Sequence, residues 1–141
     1  MVETILIPTD GSEHAQRAAA HALAFAEREG ATVHALFVVE TEGVETSDVE
    51  VPALSSIEIL TNEREEWGRK VLAAIAQTAE KRDVPVETSI YHGDPAETIP
   101  EVADEIDADL VFVGERGDTH EHREGTVTRA LRREDDRVVV A

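Results

Sequence analysis

The chain has 141 residues, 41% of them hydrophobic and none of them cysteine, enough to bury one core as a single domain over 1–141 and too little to allow disulfide or thiolate chemistry. Its 31 acidic residues outnumber the 13 basic ones for a net charge of −18, spread along the whole length, which leaves no basic footprint for a nucleic acid. No apolar stretch approaches the ~20 residues of a membrane span and residues 1–8 lack a signal-peptide pattern, so a cytoplasmic protein with no membrane partner is expected. Only two of the basic residues are lysines, Lys70 and Lys81. So acidic a surface suits a salt-rich cytoplasm, where the Debye length falls to ~3 Å at 1 M salt and self-repulsion is screened. A halophilic source follows as the expectation.

Thr4-Ile5-Leu6-Ile7-Pro8 is apolar throughout and predicts a strand buried on both faces, as in a parallel sheet. Thr9-Asp10-Gly11-Ser12 makes the turn, with Ser12 as N-cap of the next helix. That helix carries Ala15, Ala18, Ala19, Ala22, Leu23 and Ala26 on one narrow stripe, and Gly30 ends it. Ala31 to Val39 predicts the second strand. The acidic stretch from Glu40 to about Ser56 reads as a long loop. A second helix follows from about Ile57 to Arg82, with Trp67, Val71, Leu72, Ile75, Ala76 and Ala79 spaced for packing.

Val84 to Tyr91 predicts a third strand, at a sheet edge, and His92-Gly93-Asp94-Pro95 a turn. Pro95 opens a helix holding Ala96, Ile99, Val102, Ala103 and Ile106, with Pro100 near enough to its first turn to be tolerated. Asp109 to Val113 is the fourth strand, Thr126 to Arg133 a short helix, and Arg137 to Val140 a terminal strand. Such alternation demands a doubly wound α/β fold, a parallel sheet with helices on both faces and right-handed crossovers. Ligands of such sheets sit beyond the carboxyl ends of the strands, where the strand order reverses. Gly114 and Gly117 directly after the fourth strand, then Gly125-Thr126 opening a helix, suit a phosphate cradle. Glycines let backbone N–H groups approach an anion, and the helix dipole favours negative charge.

Taken together, I-L-I-P-T-D-G-S (5–12), L-F-V-V-E (36–40), H-G-D-P-A-E-T-I (92–99), A-D-L-V-F-V-G-E-R-G (108–117), Gly125-Thr126 and the terminal V-V-V resemble the universal stress protein family over the whole chain. With this charge, a halophilic archaeal member is the expectation. The resemblance implies a five-stranded sheet in the order 3-2-1-4-5 and a homodimer paired through the last strand. It also implies binding of ATP or AMP, with or without Mg²⁺, through a glycine pattern. Carried over, Asp10 faces the adenosine, with Pro8 and Thr9 beside it, and Val38 offers backbone groups to the adenine edge. Gly114, Arg116, Gly117, Gly125 and Thr126 then serve the ribose and phosphates, Arg116 by offsetting nearby carboxylates. A sensor or regulator with an unknown protein client is implied, with ATP hydrolysis slow at most, since no general base or nucleophile accompanies the glycines.

One departure from the family pattern matters. Seven residues separate Gly117 from Gly125, where the family has nine, and Asp118, Glu121 and Glu124 stand among them. A member that has lost nucleotide binding and works as a dimeric interaction module is the alternative. An adenine-nucleotide α-hydrolase shares the fold but needs a catalytic group that the sequence does not offer. His120 and His122 make too small a ligand set for a metal, and solvated loop histidines are the better reading. Ser12 with Asp10 and His14 lacks the G-x-S-x-G elbow of a hydrolase and is read as a helix cap. His14, His21 and His34 read as surface or half-buried histidines, and Trp67 as core or rim packing.

Overall fold

The structure is a computed structural model that describes residues 2–40, 51–114, 131 and 136–140. Thr4–Thr9 forms β1, whose Ile5, Leu6 and Ile7 are fully buried. Burial on both faces is what a central parallel strand requires. Helix α1 spans Glu13–Glu29; Ser12 caps it by accepting the Ala15 N–H on its hydroxyl at 3.2 Å. Its stripe of Ala15, Ala18, Ala19, Ala22 and Ala26 is buried, so small side chains let the helix lie close on the sheet. Thr32–Glu40 is β2, Val51–Lys81 is α2, Val86–Gly93 is β3 and Pro95–Glu105 is α3. Leu110–Val113 is β4 and Val138–Val140 is β5.

All strand pairings are parallel and the order is β3-β2-β1-β4-β5, so β3 is an edge strand as expected. β1 and β2 pair from Thr4↔Thr32 to Thr9↔Phe37, and β2 and β3 from Val33↔Val86 to Glu40↔Gly93. Two cores result. Ile5, Ile7, Val33, Ala35, Phe37 and Phe112 meet α1 and α2 on one face of the sheet. Leu6, Leu36, Val111 and Val113 meet Ile99, Val102 and Ala103 of α3, with Leu131, on the other. Each fully buried Leu, Ile or Val contributes roughly 1.5–3 kcal/mol of hydrophobic free energy. The Phe25 and Phe112 rings, 5.8 Å apart and tilted 48°, tie α1 to β4.

Three helix ends share one device. Gly30, Asp83 and Asp107 take left-handed backbone (φ 68°, 57° and 57°). The next N–H then reaches back into the last turn: Ala31 to the Ala26 carbonyl, Val84 to Ala79 and Ala108 to Ala103. This satisfies carbonyls that the helix leaves open. Glycine adopts the conformation without strain, and Asp is among the few other residues that tolerate it.

Three boundaries differ from the sequence reading by two residues or more. α2 begins at Val51, so Val51 to Ser56 are helical rather than loop. Pro52 is compatible with a first helical turn, whose N–H groups lack intrahelical partners anyway. The remainder of the expected loop, 41–50, lies outside the described residues. β3 starts at Val86, because the Val84 N–H is engaged in ending α2, and it runs on through His92 and Gly93, which the sequence assigned to a turn. The helix expected over Thr126 to Arg133 lies outside the described residues except for Leu131.

Candidate functional site

The strand order reverses between β1 and β4. Their ladder consists of Ile5↔Leu110 and Leu6↔Val111, while β1 runs on to Thr9 and β4 to Val113. Asp10 follows one strand and Gly114 the other, at the switch point where sheets of this kind place their ligand crevice. β2 also outruns β1, since their pairing stops at Thr9↔Phe37, one residue before Val38. The backbone of Val38 on that side thus lies past the end of the β1 ladder, while its other side pairs with Tyr91 of β3. Alternation puts Pro8 and Val38 on the α3 face of the sheet with Leu6 and Leu36. These are the features that a planar ligand edge could read through main-chain groups.

The sequence-derived residues divide into three groups. Pro8, Asp10, Val38 and Gly114 meet at this end of the sheet. The Thr9 side chain turns to the opposite, α1/α2 face, where it is buried and its hydroxyl accepts the Gly11 N–H at 3.1 Å. Only its backbone is left on the crevice side. Arg116, Gly117, Gly125 and Thr126 lie outside the described residues, as do His120 and His122. Among the described residues no group of three or more His, Asp or Glu could hold a metal ion.

Asp10 is partly committed to its own loop, because its Oδ1 accepts the Ser12 N–H at 2.9 Å. Gly114 is committed too. A Cβ there would fall 2.7 Å from the His14 carbonyl carbon and 2.8 Å from the Ala15 nitrogen, so the end of β4 touches the backbone that opens α1. The glycine read as a ligand contact is thus also a packing requirement.

Sequence reasoning missed the part played by α2. Trp67 Nε1–H donates to the Asp10 carbonyl at 3.3 Å, and the ring lies against Gly11. Arg64 donates to the Glu40 carbonyl at the end of β2, and Glu65 pairs with His92 near the end of β3. One helix therefore ties the carboxyl ends of three neighbouring strands. The partners lie far apart in sequence, and only the presence of Trp67, Arg64 and Glu65 on one stretch of α2 hinted at them.

Two further polar contacts are structural. Asp109 accepts the Glu3 and Thr4 N–H groups at 2.8 and 3.0 Å, and those bonds hold its carboxyl below the usual range. At His34, Nε2 lies 2.7 Å from the Ser89 hydroxyl. Burial pushes the His34 imidazole below its ordinary value, with Glu87 opposing weakly from 3.8 Å. The folded protein then holds this ring neutral while the unfolded chain takes up a proton near pH ~6.5. Stability contributed here is full at neutral pH, declines as pH falls through ~6.5, and changes no further below the lowered folded value. Urea midpoints measured from pH 7 to 5 should fall less steeply in His34→Gln than in the wild type. Equal slopes would refute the assignment.

Comparison with known proteins agrees with this architecture. The model of the universal stress protein family matches residues 1–134. A universal stress protein of Methanocaldococcus jannaschii is 34% identical over 119 residues, covering 84% of this chain and 68% of the relative. Universal stress protein UspA from Lactobacillus plantarum superposes with a TM-score of 0.84 at 27% identity, covering 99% of this chain and 97% of its own. A universal stress protein solved in complex with cAMP shares the fold at 23% identity, with a TM-score of 0.73 and coverage of 99% and 97%. With the five-stranded order, the two-faced helical packing and the Asp10–Gly114 switch point already in place, the chain belongs to the universal stress protein family.

Proposed function

We propose that this protein binds an adenine nucleotide, ATP or AMP with or without Mg²⁺, in the crevice between β1 and β4, and acts as a regulator rather than as an enzyme. The observation that carries the reading is the convergence of Asp10, Gly114 and the overhanging backbone of Val38 where the β1 ladders to β2 and β4 stop. A carboxylate suits ribose or amino donors, and backbone N–H and C=O groups suit an adenine edge. In this reading Arg116, Gly117, Gly125 and Thr126 serve the ribose and phosphates, with Pro8 and the Thr9 backbone flanking the base. Family membership supports it, and a protein of the same fold is known in complex with cAMP.

The protein would act as a homodimer through the β5 edge, as one domain in a salt-rich cytoplasm, on an unidentified client protein. No helix among the described residues is long and apolar enough to cross a membrane. In this reading any ATP hydrolysis would be slow at most. One observation favours a second reading. The seven-residue spacing from Gly117 to Gly125, with three carboxylates inside it, would suit a dimeric interaction module that no longer binds nucleotide.

Calorimetric titration of ATP and AMP with Mg²⁺, in molar salt, separates the two. Asp10→Asn is the informative variant, since an amide still accepts the Ser12 N–H while losing the charge. Gly117→Val tests the phosphate side. Saturable heat from wild type that falls at least about tenfold in affinity in both variants, on the scale of a lost charged hydrogen bond, supports the nucleotide reading. No heat from folded wild type overturns it in favour of the second.

A further inference from the structure

On the face of the sheet away from the crevice, α1 and α2 leave between them a groove of about 380 Å³. That volume falls within the ~300–1,000 Å³ usual for small-molecule sites. The groove exists because α1 presents alanines where bulkier residues would close the gap. Its floor is apolar: Ala19 and Leu23 from α1, and Val71 and Ile75 from α2, all buried. Trp67 and Lys70 stand at its rim.

The charge of the lining runs against that of the molecule. In a chain with 31 acidic residues and 13 basic ones, the described residues that line the groove include no carboxylate and one cation, Lys70. Among the described residues no carboxylate pairs with Lys70. Trp67 is 48% exposed, the one large hydrophobic residue so exposed among those described, and it stands one helical turn from Lys70. An apolar floor, an exposed indole and an ammonium that no described carboxylate pairs with together fit a ligand with a hydrophobic body and a single negative charge.

We propose that this groove binds a medium-chain fatty acid, its tail on the alanine and leucine floor and its carboxylate on the Lys70 ammonium. A phosphate or other polyanion does not fit. One ammonium offsets one charge, the described lining, drawn mostly from helices α1 and α2, offers no cradle of backbone N–H groups, and the net charge of −18 repels each further negative charge. An uncharged hydrocarbon would leave the ammonium unused. The site is separate from the crevice in its ligand and in its face of the sheet, and it does not depend on the nucleotide reading.

Trp67 is the single tryptophan, so its emission reports on the groove directly. Decanoate, added below its micellar limit, should give a saturable shift of that emission to shorter wavelength. Lys70→Met keeps most of the apolar stem and removes the charge. It should weaken decanoate about tenfold, the scale of one charge-assisted contact, and leave decanol unchanged. Ala74→Leu and Ala20→Leu fill the groove from its two walls at exposed helical positions, and either variant that melts like wild type should abolish the response to both. Folded wild type that shows no saturable shift overturns the proposal. Decanoate binding that is unchanged in Lys70→Met, or in a groove-filling variant that melts like wild type, overturns it equally. An ATP titration on the same samples tests the crevice, and neither of its outcomes supports or overturns the decanoate proposal.

Discussion

Gly114→Ala should destabilise the protein by about 1–3 kcal/mol or more, the range for forcing atoms into a well-packed site. The added Cβ would lie 2.7 Å from the His14 carbonyl carbon, 2.8 Å from the Ala15 nitrogen and 2.9 Å from the His14 oxygen. All three are backbone atoms, so no rotamer change relieves the collision and the start of α1 must move. A glycine-to-alanine change at a compatible position would otherwise stabilise by ~0.4–1 kcal/mol through the unfolded chain. The collision therefore decides the sign. Displacing α1 also moves the Ser12 cap and the Asp10 turn, so nucleotide affinity should fall with stability. Gly30→Ala is the matched control. Its Cβ would meet nothing within 4 Å, but its φ of +68° is strained for alanine, at a cost of ~1–2 kcal/mol. Urea denaturation of both variants tests this. A Gly114→Ala protein as stable as wild type would show that β4 and α1 are not in the close contact described.

The difference between those two glycines marks what the sequence could and could not disclose. Gly30 was legible because its role is local: a stripe of alanines ends, and the next residue must turn left-handed. The buried strands were legible for the same reason, since Ile5-Leu6-Ile7 and Val111-Phe112-Val113 declare their burial by composition alone. Gly114 was read as a place for phosphate to approach, and the structure gives it a second task, admitting the backbone of a helix a hundred residues earlier. No local pattern encodes such a contact. The start of α2 was misplaced because Ser55, Ser56 and the acids before them carry loop signals, and such local propensity is a weak guide to where a helix begins. The end of β3 was misplaced because His92 and Gly93 look like turn residues, while their pairing with Val39 and Glu40 keeps them in the sheet. Of the crevice, the elements that end at it were legible. The bracing by Trp67, Arg64 and Glu65 was not, because Trp67 reaches Asp10 across 57 positions.

That bracing predicts a second large effect, at Gly11. Its φ of +81° disfavours any side chain, and a Cβ would lie 2.8 Å from Trp67 Cζ2 and Val71 Cγ2 and 2.9 Å from Trp67 Nε1. Gly11→Ala should therefore lose ~1–2 kcal/mol to backbone strain and a further ~1–3 kcal/mol to overpacking. Val71 is buried and cannot yield, whereas Trp67 is half exposed and can swing outward. In doing so it would give up its bond to the Asp10 carbonyl. The two costs separate in a double-mutant cycle. In a Trp67→Ala background the strain remains and much of the overpacking disappears, giving a coupling of roughly 0.5–3 kcal/mol, the range for residues in contact. Emission from Trp67 should move to longer wavelength in Gly11→Ala as the ring enters water. Additive stabilities together with unchanged emission would mean that Trp67 does not clamp the turn. If the coupling appears, α2 holds the Asp10 loop by packing as well as by its hydrogen bond. Arg64 and Glu65 would then extend the same hold to the ends of β2 and β3. The carboxyl end of the sheet would be set as one unit, so a ligand that moved Asp10 would also act on α2.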